Sequence, residues 1–129
     1  MCSTFACKSK RMKEYILLFR LDILTKEAQP TQAQIKDYMQ QWTQWLDSIS
    51  EKGQLAAGGN HLQYSGKVVR ASGAISDLPY VADRESVAGY ILINAKNMDD
   101  AVSIARRCPI LNGGDKNSVE IRETASPGA

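Results

Sequence analysis

The side chains able to do chemistry in this sequence are few, and they are scattered. His61 is the only histidine. It follows Gly58-Gly59-Asn60, in a loop or bulge between strands. An imidazole titrates near neutral pH, which makes His61 a candidate general base. No partner for it is identifiable, and a surface or hydrogen-bonded histidine is the default reading. Asp77 opens the turn Asp77-Leu78-Pro79-Tyr80. An aspartate there most often caps the turn through backbone N–H groups; the alternative is acid/base or ligand work in a cleft. Tyr80 can donate a hydrogen bond to a ligand or simply pack. Arg84 and Glu85 can pair with each other at little gain. The candidate catalytic residues are therefore Asp77 and His61, and the candidate ligand-binding residues are Asp77, Tyr80 and Arg84.

Several classes of chemistry find no signature. The three cysteines are Cys2, Cys7 and Cys108. Cys2 and Cys7 lack C-x-x-C spacing and no second pair exists, so neither a metal site nor a disulfide framework is expected. Cys108, just before Pro109, reads as a small core residue rather than a nucleophile. Asn112-Gly113-Gly114-Asp115 lacks the lysine and serine of a phosphate loop. No dinucleotide fingerprint is present, and no cofactor is expected.

Charge narrows the partners. The formal net charge is +2, and Lys8, Lys10 and Arg11 supply three positive charges from a start with no acid, so +2 less three leaves −1 for the rest. A near-neutral domain is not a polyanion binder. Trp42 and Trp45 read as core, and no RNP-type aromatic strand is present, so nucleic acid is not expected. The longest apolar piece, Tyr15 to Leu24, is interrupted by Arg20 and Asp22 and falls short of the roughly 20 residues of a membrane span. The basic residues of the start follow its apolar ones, the reverse of a secretory signal. The expectation is a cytoplasmic protein with no membrane partner. Residues 1–12 read as a basic tail, with Met12 an alternative start, 13–123 as one domain and 124–129 as a second tail.

The elements that must position these residues follow from periodicity. Lys13 to Leu21 is a strand, with Tyr15, Leu17, Phe19 and Leu21 on one face and Ile16 and Leu18 on the other. Thr31 with Gln34 fits a capping box, opening a helix to Lys52 that Gly53 closes. Its stripe is Ile35, Tyr38, Met39, Trp42, Trp45, Leu46 and Ile49. Gln54 to Ala57 is a short strand that Gly58-Gly59-Asn60 breaks or bulges. Leu62–Tyr64 and Lys67–Arg70 read as a hairpin about Ser65-Gly66. Val87 to Asn94 is a second strand apolar on both faces. Asn97 caps a helix carrying Met98, Ala101, Val102, Ala105 and Cys108 inward, and Ser118 to Glu123 is the last strand.

This order makes two β-α-β units, an α+β ferredoxin-like fold with two helices on one face of an antiparallel sheet. Two strands apolar on both faces need a second cover. The expected cover is another copy of the same sheet across a two-fold axis, giving a homodimer.

Together, "LAAGG", "SDLPYVADRESVAGYILI", "NMDDAVSIARRCP" and "VEIRE" resemble YCII-related proteins of the DGPF type, over roughly Met12 to Glu123. Asp77-Leu78-Pro79-Tyr80 stands in the place of D-G-P-F. The resemblance implies a ferredoxin-like fold that dimerises through its sheets into an α+β barrel. Some relatives have been proposed to use a His–Asp pair whose histidine lies on the first helix. The helix from Thr31 to Lys52 has no histidine, so that pair is not carried over. Two functions are expected to compete: a dimer that binds or acts on a small molecule near Asp77, Tyr80 and His61, and a non-catalytic accessory module whose dimer surface is the functional unit.

Overall fold

Alternation along the two longest strands sets the architecture. In a computed structural model that describes residues 12–25, 29–114 and 116–125, β1 (Lys13–Asp22) buries Tyr15, Leu17 and Phe19 and half-buries Ile16 and Leu18 between them. Successive strand residues point to opposite faces, so β1 has one face in the core and one outside it. Helix α1 (Gln32–Glu51) follows. Thr31 Oγ1 accepts from Gln34 N at 3.2 Å, and Gln34 Oε1 accepts from Thr31 N at 2.8 Å, which completes the expected capping box. At its far end Gly53 takes φ +69°, with Gly53 N donating to Ser50 O and Gln54 N to Ile49 O. These two bonds satisfy carbonyls that the helix would otherwise leave unpaired.

Next come β2 (Leu55–His61), the short strands β3 (Val68–Val69) and β4 (Ile75–Ser76), and β5 (Glu85–Ala95). Helix α2 (Met98–Ala105), a 3-10 turn over Pro109–Asn112, and β6 (Ser118–Glu123) complete the chain. The main sheet runs β2-β5-β1-β6 with every pair antiparallel, and β3 and β4 form a separate two-stranded ribbon. This is the ferredoxin-like α+β fold: a four-stranded antiparallel sheet with both helices packed on one face.

The core lies between that face and the helices. Tyr15, Leu17, Phe19, Ile91, Ile93 and Ala95 meet Trp42, Trp45 and Ile49 of α1 and Ala101, Ile104 and Ala105 of α2. Phe19 stands edge-on to Trp42 at 4.8 Å between ring centroids. Trp45 Nε1 donates to Ile104 O at 3.2 Å and so joins the helices. Ile16, Leu18, Tyr90 and Leu92 lie on the opposite face, half-buried, and no helix among the described residues packs there.

Several expectations are corrected. The stripe of α1 is fully buried only in its second half; Ile35 and Met39 are 45% and 41% exposed, and Met39 lines a hollow on the outer face of the helix. On α2, Met98 is likewise exposed. Cys108 is buried as expected, but it lies beyond the helix, capping the 3-10 turn. The hairpin about Ser65-Gly66 does not form. The pairing is Val68 with Ser76 and Val69 with Ile75, because the left-handed glycine that closes the turn is Gly73, at φ +93°. Thr124 is not frayed: its N–H donates to Glu14 O at 3.0 Å. Cys2, Cys7, Asp115 and the basic start lie outside the described residues.

Candidate functional site

Gly58-Gly59-Asn60 does not end β2; it bulges it. Ala57 pairs with Leu92 and Asn60 with Tyr90, three steps on β2 against two on β5. Side chains alternate strictly along a strand, so one extra residue reverses the facing of everything after it. An earlier shift, between Leu55 and Ala57, has put Ala57 on the open face, and this second one returns His61 to the side of Leu55. With it His61 pairs with Gly89 and turns toward α1. Gly59 makes this possible at φ +59°, where a Cβ would come within 1.8 Å of Tyr90 O. Gly89 leaves the matching room, since a Cβ there would stand 2.9 Å from Asn60 O.

His61 then joins an aromatic cluster. Its ring lies 4.9 Å from Trp42 and 6.4 Å from Tyr38, edge-on to both. Desolvation by these rings lowers the His61 pKa below its ordinary 6.5, which keeps the imidazole neutral at physiological pH. Tyr38 is shifted the other way: burial chiefly, with Cys108 and Tyr64 adding, raises its phenol well above the ordinary value. Burial also raises Tyr64. The Cys108 thiol is pushed up to about 12 by burial, against a smaller lowering by the backbone of Ile110; it is a thiol and no nucleophile. No fully buried side-chain polar atom lacks a partner among the described residues. The Tyr38 hydroxyl makes no hydrogen bond among them, so it opens to solvent. His61 and Tyr64 are exposed and Tyr38 is half-buried, so the three present neutral polar ends at the surface, desolvated only where their rings pack.

The Asp77–Arg84 segment is arranged differently. Asp77 Oδ1 accepts from Lys67 Nζ at 2.6 Å, with both side chains well exposed. Tyr80 is exposed, and its carbonyl accepts from the buried Ser86 hydroxyl at 2.6 Å. Asp83 and Arg84 adopt φ +52° and +66° between Ala82 and Glu85, which exchange both backbone hydrogen bonds at 2.9 Å. That is a two-residue loop of the type I′ kind, built from residues other than the usual Asn-Gly. Arg84 and Glu85 do not pair. Glu85 Oε1 accepts from Ser118 Oγ at 2.7 Å. Arg84 lies toward Asp22, whose carboxyl is held below its usual range first by hydrogen bonds from Thr25, then by one from Leu24 N and last by that guanidinium.

His61 ends β2 and Arg84 precedes β5, so the two groups lie at the same end of the sheet. No hydrogen bond or ion pair joins His61 to Asp77, Tyr80 or Arg84 among the described residues. Two surface hollows lie elsewhere, one along the outer face of α1 at Lys36, Met39 and Thr43, the other between α2 and β6 at Val102, Leu111 and Ile121. Sequence reasoning missed Tyr38 and Tyr64 as site residues: the helical spacing of Tyr38 fits the core stripe equally well, and Tyr64 read only as part of a hairpin strand. Among the described residues no group of three or more metal-ligating side chains occurs, and no helix is long and apolar enough to cross a membrane.

A ferredoxin-like sheet carrying a histidine turned into an aromatic patch by a bulged edge strand is the class of protein that these features define. Residues 20–125 match the model of the YCII-related domain. The chain belongs to the YCII-related family. No curated protein is similar enough to the chain to count as a match.

Proposed function

We propose that this YCII-related protein is a homodimer that binds, and acts by acid/base chemistry on, a small uncharged molecule at His61, Tyr38 and Tyr64. The observation that carries this reading is the convergence of three neutral, partly desolvated polar groups with no hydrogen-bond partner among the described residues. A neutral imidazole accepts a proton and a neutral phenol donates a hydrogen bond, so together they can hold an oxygen while its neighbour is deprotonated. The Trp42 ring beside them suits a flat, apolar ligand body. This moves the ligand from Asp77 to His61, with Asp77, Tyr80 and Arg84 on the adjoining loop. The dimer is supported by the apolar open face, where no helix among the described residues covers the half-buried Ile16, Leu18, Tyr90 and Leu92.

Thermal-shift titration with small phenols and cyclic ketones tests the site. The expected result is a raised midpoint in the parent protein that Tyr38→Phe and His61→Gln abolish and Asp77→Asn preserves. Loss of the shift in Asp77→Asn alone would return the site to the Asp77 loop, and no shift with any probe would remove the binding reading.

A further inference from the structure

The two edges of the main sheet are unlike. At one edge, β2 shifts register against β5 twice, between Leu55 and Ala57 and between Ala57 and Asn60. Bulges of this kind spoil an edge as a template for another strand. At the other edge, β6 runs against β1 from Ser118 to Glu123 with no shift. It carries no proline, and no strand among the described residues lies on its outer side. Register decides which groups that side presents. Thr124 N donates to Glu14 O at 3.0 Å. Hydrogen-bonded pairs recur every second residue, so they are Ile16 with Arg122, Leu18 with Glu120 and Arg20 with Ser118. Val119, Ile121 and Glu123 therefore turn their backbone N–H and C=O outward, away from β1.

The side chains of β6 say which strand fits there. On the helix side, Val119 and Ile121 rim an apolar hollow of about 140 Å³ with Val102 and Leu111. On the open side stand Glu120 and Arg122. Glu120 Oε1 is taken by Arg20 at 2.7 Å, but Oε2 has only a loose contact at 3.6 Å with Arg122, whose side chain is 68% exposed. An antiparallel partner suits this edge if it sets a cation opposite Glu120 and an anion opposite Arg122. β6 read backwards does so. Centred on Ile121, Glu120 faces the partner's Arg122, Arg122 faces the partner's Glu120, and the two Ile121 side chains meet beside the hollows. Both charge pairs then fall at non-hydrogen-bonded positions, where opposed side chains approach most closely. Sliding by two residues sets Glu120 on Glu120 or Arg122 on Arg122. Sliding by one turns the helix side of one copy to the open side of the other. The charge pattern thus selects one register, and the strand it selects is β6 itself.

We infer that β6 pairs antiparallel with β6 of a second copy, centred on Ile121, and continues the four-stranded sheet into one of eight strands. This two-fold contact is separate from the sheet-face dimer and does not depend on it. One six-residue strand from each copy makes a small interface, so the association is weak and needs concentrated protein. Amide exchange of the full chain, read residue by residue from dilute to concentrated solution, tests it. The Ile121 and Glu123 amides are expected to gain protection as concentration rises and to lose it on dilution. The Glu120 and Arg122 amides, bonded to β1, stay protected throughout. Arg122→Glu sets glutamate against glutamate twice and is expected to weaken the pairing about tenfold. An equimolar mixture of Arg122→Glu with Glu120→Arg is expected to restore it, because each variant complements the other. An Ile121 amide that exchanges freely at every concentration overturns the inference. Protection that does not depend on concentration overturns it in favour of cover from within the chain. Protection that appears only with an added, unrelated Arg-x-Glu peptide overturns it in favour of a foreign strand. Concentration-dependent protection that Arg122→Glu leaves unchanged overturns the register.

Discussion

At the scale of single residues, His61 has the clearest consequence for solution behaviour. Its folded pKa lies below the ordinary 6.5 because aromatic rings desolvate the charged form. Below 6.5 the unfolded chain therefore binds a proton that the folded chain does not, and stability falls as pH drops from 6.5 toward the folded value. Replacing His61 with Phe is expected to remove that part of the acid loss. The check is urea denaturation of both proteins between pH 7 and 5, where the parent should lose stability more steeply. The carboxylates act lower. Asp22 and Glu120 are both held below their ordinary values of 3.8 and 4.5, Asp22 by the Thr25 hydrogen bonds and Glu120 by hydrogen bonds from Arg20, so what they contribute is lost as pH falls from those values toward the lower folded ones. At the alkaline end the raised thiol of Cys108 works in reverse: unfolding gains an ionisation as pH passes 9, and stability declines there. A buried thiol of this kind should also resist alkylation in the native state, and modification of Cys108 by iodoacetamide at pH 8 without denaturant would contradict its placement.

At the scale of elements, two turns store conformational cost for different reasons. The Asp83-Arg84 loop places two non-glycine residues at positive φ, and the left-handed region costs such residues roughly 1 kcal/mol or more each. Arg84→Gly is expected to stabilise the fold by about 1 kcal/mol, as chemical denaturation would show. If it stabilises the fold and also weakens ligand binding, then Arg84 is retained for its guanidinium. Gly59 is the opposite case. With Tyr90 O only 1.8 Å from the Cβ position, Gly59→Ala must displace backbone and is expected to cost at least about 2 kcal/mol. It should also move His61 out of its cluster, visible as a change in Trp42 fluorescence.

These elements also show how far sequence reasoning reached. The capping box, Gly53 and the two long strands were legible because each is a local pattern with one structural solution. The glycines of β2 were legible as a break or bulge, and only the pairing with β5 decides between the two. The facing of His61 depends on two register shifts, between Leu55 and Ala57 and between Ala57 and Asn60, which no local pattern in β2 contains. Ser65-Gly66 and Ser72-Gly73 offer the same turn chemistry; the pairing of Val69 with Ile75 selects the second. Tyr38 was visible only as one more apolar-spaced position on α1.

At the scale of the whole molecule, the open face of the sheet has the largest consequence. Leu18 lies between Arg20 and Ile16 on a face that no helix among the described residues covers, and the Arg20–Glu120 pair beside it is half-exposed. If the chain dimerises through this face as proposed, Leu18→Glu is expected to leave the helix-side core intact and to shift the protein to monomer, read by sedimentation at unchanged circular dichroism. An unaltered dimer would place the interface elsewhere. The sheet fixes one further relation. β1 enters beside the point where β6 leaves: Tyr15 pairs with Glu123 and Thr124 bonds to Glu14. His61 and Arg84 sit at the other end of the strands. Entry and exit as neighbours make the domain a plug-in unit. It could be spliced into a surface loop of an unrelated host, or its ends joined and the chain reopened elsewhere, with the histidine patch still pointing away from the seam.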